Sequence, residues 1–207
     1  MFFNLLLTAI MVVAASHIDS AKESFDKLTS YTVTLNSKSS DSSEEIKYYF
    51  KKPGLVRMEF IEPHKGAVLV YNPHTKRVKL RPFGFFKPFV MDLSPEDRLV
   101  KSSKGHTVDE SDLGALLKAA DELAKNGKTE EKGEEAIGQR HAALVRIEGG
   151  PGKAVGGVHA YNIWFDKKTG LPIKAESFDS NGKLIEKVVM DDLEVNPTLP
   201  DELFDIG

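Results

Sequence analysis

The chain has 207 residues, a formal net charge of −3 and no cysteine. The missing cysteines exclude disulfides, thiolate metal sites, cysteine nucleophiles and a lipid-modified N-terminal cysteine. Lysines and acids are interspersed as on an ordinary solvated surface, which argues against a nucleic-acid partner, and the length allows one sizeable domain.

No charged side chain precedes Asp19. The apolar run from Leu5 to Ala15 is shorter than the roughly 20 residues a spanning helix needs. It fits a signal peptide over residues 1–15, with Val13-Ala14-Ala15 as small residues for cleavage, although no Lys or Arg stands before it. An uncleaved anchor and a buried first helix are the other readings of this run. Residues 16–207 read as a single domain.

From Ser20 to Leu28 the spacing of Ala21, Phe25 and Leu28 predicts a helix. The period then changes to two. Strands are expected at residues 31–38, 44–52, 55–62, 66–72 and 76–82, the last two joined by the turn "NPHT". "LRPFGFFKPFVMDL" (80–93) follows, with four phenylalanines in seven residues. Pro82, Gly84 and Pro88 make an uninterrupted strand unfavourable there, although Phe89, Met91 and Leu93 alternate as a core strand would. A helix is predicted over 109–128, with Leu113, Leu116, Leu117, Ala120 and Leu123 on one side and Asn126-Gly127 as its stop. Strands resume at 141–149, 158–166, 171–179 and 183–195, with turns at "KKTG" and "SNG". The expected fold is α+β and mainly β: a curled antiparallel sheet of about ten strands whose concave face is filled by side chains, helices or a ligand.

Catalytic constellations are missing. There is no G-x-S-x-G, H-E-x-x-H, Walker or Rossmann pattern. The glycine-rich stretch 148–159 lies between two strands and opens no helix, so it reads as a hairpin loop rather than a phosphate cradle. His64 and His74 lie in turns without a third convincing metal ligand. The expectation is a protein that is not an enzyme and needs no metal or cofactor.

"YYFKKPGLVRMEFIEPHKGAVLVYNPHTKRVKL" (48–80) resembles the LolA-like outer-membrane lipoprotein carrier superfamily. The likeness lies in Lys52-Pro53, in Met58 and Phe60 on an aromatic-rich strand, and in Gly66, Leu69 and Tyr71-Asn72-Pro73. The stretch 167–204, ending in Asn196 and Phe204, is similar to the closing segment of that superfamily. The likeness is to an uncharacterised LolA-like branch rather than to the carrier proper. The sequence stops soon after Phe204 and shows no second domain, which is expected to set it apart from RseB-type stress regulators.

The resemblance implies a half-open barrel with helices as a lid over an apolar cavity that takes acyl chains of a lipoprotein or lipid, with no chemistry done on them. It implies a periplasmic location and transient membrane-protein partners as donor and acceptor. A sensor or adaptor on the same scaffold, signalling to a membrane partner, is the alternative. The lid tether of the superfamily is an arginine before the proline; here Lys52 holds that position, and lysine lacks the planar guanidinium fork.

Candidate cavity-lining residues on the first strands are Ile46, Tyr48, Phe50, Val56, Met58 and Phe60. Val68, Val70, Val78 and Trp164 complete the set. Each of these also fits plain core packing. Phe83, Phe85 and Phe86 are expected at the cavity mouth, meeting ligand or membrane.

Overall fold

In a computed structural model of the protein, residues 17–82, 89–102 and 105–207 are described. Eleven strands form one antiparallel sheet in the order β6-β5-β4-β3-β2-β1-β11-β10-β9-β8-β7. They are β1 Ser30–Lys38, β2 Ser43–Lys51, β3 Leu55–Glu62, β4 Val68–Asn72, β5 Arg77–Arg81, β6 Met91–Leu93, β7 Lys128–Ile137, β8 Arg140–Glu148, β9 Ala160–Asp166, β10 Pro172–Phe178 and β11 Leu184–Val195. The sheet ends at β6 and β7 and is not closed. A helix α1 covers residues 17–27, and α2 spans Leu113–Lys125. The expected class holds: mainly β and antiparallel with helices, and eleven strands where about ten were expected.

The chain clusters into two compact units. The first holds α1, α2, β7 to β10 and the start of β11; the second holds β1 to β6, the end of β11 and residues 196–207. In the first unit both helices lie on one face of the sheet. Ile18, Ala21 and Phe25 of α1 are spaced to share one side of a helix, as are Leu117, Ala120 and Leu123 of α2. They pack with Val145 and Ile147 of β8, Tyr161, Ile163 and Phe165 of β9, and Ala175 of β10. Ala21, Ala120, Val145, Ile147 and Ile163 are sealed from solvent. The stop after α2 is tight: a Cβ on Gly127 would stand 1.9 Å from the Glu148 carbonyl oxygen, so only glycine lets this turn sit against β8.

β7, "KTEEKGEEAI", was not expected as a strand. It carries no apolar alternation because it is an edge, paired only with β8. Its charges and the register shift around Gly133 are what keep an exposed edge from pairing with another chain.

In the second unit, β1 to β6 form a meander whose register sorts residues onto two faces. Directly paired residues share a face. Tyr31↔Phe50↔Val56↔Tyr71↔Val78↔Leu93 is one row across all six strands, Tyr48↔Met58↔Leu69↔Leu80↔Met91 the next, and Leu35↔Ile46↔Phe60 a third.

Candidate functional site

These three rows build one apolar sheet face in the second unit, closed to different degrees along its length. The first row is packed shut from β1 to β5. Tyr31, Phe50, Val56, Tyr71 and Val78 are buried, and Tyr31 stacks on Phe50 and Tyr48 with ring centroids 5.0 and 5.8 Å apart. A 3-10 turn, Val108–Glu110, completes this end. Val108 is buried, and the Ser111 hydroxyl, donating to the Val108 carbonyl at 2.6 Å, lies 3.0 Å from the Tyr48 hydroxyl. With Ser111 donating to Val108, its oxygen is free to accept from Tyr48. Burial pushes the Tyr48 phenol far above the ordinary tyrosine range, only partly offset by its bond to Ser111. Burial likewise raises Tyr71, with the Asp109 carboxylate adding to the effect. Both phenols stay neutral across the physiological range, as suits an apolar floor.

The other end is open. Leu35 and Phe60 of the third row and Met58 and Met91 of the second are each only half-buried, as is Leu93 where the first row reaches β6, and Ile46 lies at the margin of burial. Phe60 meets the exposed His64 edge-on, with centroids 6.2 Å apart. Two methionines flank buried Leu69 and Leu80 in a single row. Methionine is the side chain that best adapts to irregular apolar guests.

Seven of the ten candidate lining residues fall on this face: Ile46, Tyr48, Phe50, Val56, Met58, Phe60 and Val78. Three do not. Val68 and Val70 point to the opposite face, where they pack on Phe204 and Ile206. β4 is buried on both sides, so its alternation carries no sign; Leu69 and Tyr71 take the places that the two valines were expected to fill.

Trp164 belongs to the first unit and lies on the face turned away from the helices, since its neighbours Ile163 and Phe165 take the helix side. It is buried beneath polar partners. Its indole Nε1–H donates to Glu135 at 2.8 Å and Lys174 Nζ sits 3.5 Å above the ring centroid, a cation–π contact.

Lys52 is in the turn after β2, where its backbone N–H donates to the Thr29 carbonyl at 2.8 Å. Its neighbour Lys51 makes long-range side-chain bonds, to the Leu199 carbonyl and to Asp201. The Tyr48–Ser111 contact was missed, because a hydroxyl on an apolar strand carries no mark of its distant partner. Phe83, Phe85 and Phe86 lie outside the described residues. Phe89 is exposed, while Met91 and Leu93 enter β6.

The comparisons with known proteins come to bear on this geometry. The model of the MucB/RseB N-terminal domain matches residues 90–206, more than half of the chain. Among curated proteins no match was found. Among solved structures, MucB in complex with MucA(peri) is similar with a TM-score of 0.57 at 16% identity, covering 94% of this chain and 60% of that one. An uncharacterized conserved protein of Thermus thermophilus gives 0.56 at 13% identity, covering 93% and 92%. The lipoprotein LppX of Mycobacterium tuberculosis gives 0.54 at 11% identity, covering 91% and 97%. These likenesses are of fold, and the chain spans three-fifths of the MucB chain. The match is to the N-terminal domain of the RseB type, from which this chain was expected to stand apart. The chain belongs to the MucB/RseB N-terminal domain family.

Proposed function

We propose that the protein is an exported, non-enzymatic binding protein of the periplasm that shelters an acyl chain of a lipoprotein or lipid. The acyl chain lies along the open end of the apolar face in the second unit. One observation carries this: Leu35, Met58, Phe60, Met91 and Leu93 stand half-exposed beside a floor that is fully packed. A chain of about 16 carbons, at roughly 0.8 kcal/mol per buried methylene, offers on the order of 10 kcal/mol before ordering costs. No catalytic group is needed to use it.

The test is uptake of a fluorescent fatty acid by the purified chain, beside mass spectrometry of ligands extracted from natively expressed protein. Phe60→Asn together with Met58→Gln is expected to weaken uptake roughly tenfold or more. No uptake by the unsubstituted chain and no extracted lipid would end the proposal.

A second reading, a sensor or adaptor that passes the bound state to a membrane partner, is favoured by the family match and by the likeness to MucB in its complex. Co-purification of one membrane protein, weakened or strengthened by added fatty acid, would select it over a carrier that hands its cargo on.

A further inference from the structure

After β11 the chain turns at Asn196, whose φ of 59° lies in the left-handed region that asparagine tolerates better than most residues. The turn is pinned. Asn196 Oδ1 accepts from the Thr29 N–H at 2.8 Å and from its hydroxyl at 3.2 Å, and the Asn196 N–H donates to the Ser30 carbonyl at 2.9 Å. Ser30 Oγ in turn donates to the Pro197 carbonyl at 2.7 Å.

From this hinge, residues 197–206 cross the face of β2 to β5 opposite the acyl-chain site. Phe204 and Ile206 are seated, buried, on Val68 and Val70, with Tyr49 and Leu55 beside them. Four cations of the sheet reach up to the segment. Lys51 donates to the Leu199 carbonyl at 2.8 Å and to Asp201 at 2.6 Å, and Arg57 to the Leu203 carbonyl at 2.8 Å. Lys79 meets Asp205 at 3.0 Å and Arg81 the Ile206 carbonyl at 2.8 Å. Glu59 is a carboxylate on the same face, 2.8 Å from Arg57.

The segment is not a strand of the sheet. Its acids lie in solvent, Asp201 being 85% and Asp205 70% exposed. Two buried apolar knobs with the part-buried Leu199 and Leu203 beside them, cation-to-carbonyl bonds and screened ion pairs, without a strand ladder, open at a lower free energy than a laddered strand does. Once it is open, the uncovered surface is a strip of valine, leucine and tyrosine bordered by lysine and arginine.

We propose that residues 197–206 are an exchangeable strap, and that the face beneath them is a docking groove for an acidic–apolar peptide of a partner protein that takes a 3-10 turn, as Asp201–Phe204 does. The strap itself defines the chemistry: two large apolar side chains two residues apart, with carboxylates beside them and backbone carbonyls placed to accept from Arg57 and Arg81. This site is independent of the acyl-chain reading, because it uses the other face of the same strands.

A fluorescein-labelled peptide of the strap sequence LPDELFDI, blocked at both ends, tests the groove. The full chain carrying Phe204→Ala and Ile206→Ala is expected to bind it roughly tenfold more tightly than the unsubstituted chain. That binding should weaken roughly tenfold between about 0.05 and about 0.5 M salt and vanish when Arg57→Gln and Arg81→Gln are added. Phe60→Asn should leave it unchanged, which separates a failure here from a failure of fatty-acid uptake.

Equal binding of a scrambled peptide, or none to the folded double variant, would overturn the proposal. Hydrogen exchange on the unsubstituted chain covers the case in which that variant does not fold. Strap amides protected as strongly as those of β9 would make the segment plain core. A dimer formed by exchange of straps would reassign the groove to a second copy of the chain and overturn the partner reading.

Discussion

The two units use the same kind of sheet and fill it differently. In the first, two amphipathic helices lie on β8, β9 and β10 and seal Ala21, Ala120, Val145, Ile147 and Ile163 completely. In the second, among the described residues, a 3-10 turn caps one end of the apolar face, and Leu35, Met58, Phe60 and Met91 stay half-buried toward the other. A sheet face that is covered by its own chain spends its apolar area on stability. A face left partly open keeps that area for something else. The difference between the units lies less in how apolar their strands are than in what the intervening chain lays on them.

Breaking the sealed unit should have the largest effect. Ile163→Ala removes a side chain with no exposure and is expected to lower stability by about 3 kcal/mol, read as a shift in the urea midpoint, with fatty-acid uptake per folded molecule unchanged. Gly127→Ala comes next. The added Cβ meets the backbone carbonyl of Glu148, which cannot step aside as a side chain can, so about 2 kcal/mol is expected from thermal melts.

Tyr48→Phe sharpens the comparison inside the second unit. It removes the hydroxyl that meets Ser111, at about 1 kcal/mol, and should raise hydrogen exchange at residues 108–111 before it changes exchange in β9. If the open end were core after all, Phe60→Asn would lower the melting temperature as far as Ile163→Ala does, and the contrast between the units would fail.

The smallest effect is electrostatic and belongs to the first unit. Asp121 accepts from Lys125 along α2 and from Lys22 of α1, each at 2.9 Å. The Lys125 hydrogen bond, followed by that from Lys22, holds its carboxyl below the usual value, although burial acts in the opposite direction. A carboxylate whose folded pKa is lowered contributes stability that is full above its unfolded pKa and is lost as pH falls through the folded value. Lys22 and Lys125 are well exposed, so the contribution stays under about 1 kcal/mol. The urea midpoint of Asp121→Asn should sit slightly below that of the unsubstituted chain near neutrality and converge with it as the pH falls through the lowered folded value.

Much of this architecture was legible because most strands have one wet face. β2 and β3 alternate cleanly, so Ile46, Tyr48, Phe50, Val56, Met58 and Phe60 could be placed on one side from sequence. β4 could not be read that way, since Val68, Leu69, Val70 and Tyr71 are all buried and apolar on both faces. Which pair turns inward is set by its register with β3, a long-range fact. Trp164 misled for a related reason: a large aromatic can be buried under Lys174 and Glu135 as well as under an apolar cover. β7 was invisible because an edge strand made of lysine and glutamate has no apolar period at all. The closing Asn196 and Phe204 were visible as a motif, but their parts as hinge and knob depend on partners more than a hundred residues away.

The placing of β11 against β1 also sets a timetable. Thr29 meets Asn196 and Asn36 meets Asp191 across 167 and 155 residues of chain. Contacts of such separation form slowly, because the closure entropy of the whole intervening loop comes before any gain. A chain that emerges from its N-terminus can zip β1 to β6 early, yet one side of β1 waits as a bare edge until residue 195 arrives. In the interval that edge is open to any other strand, and the last strand of the sheet is the one that closes it.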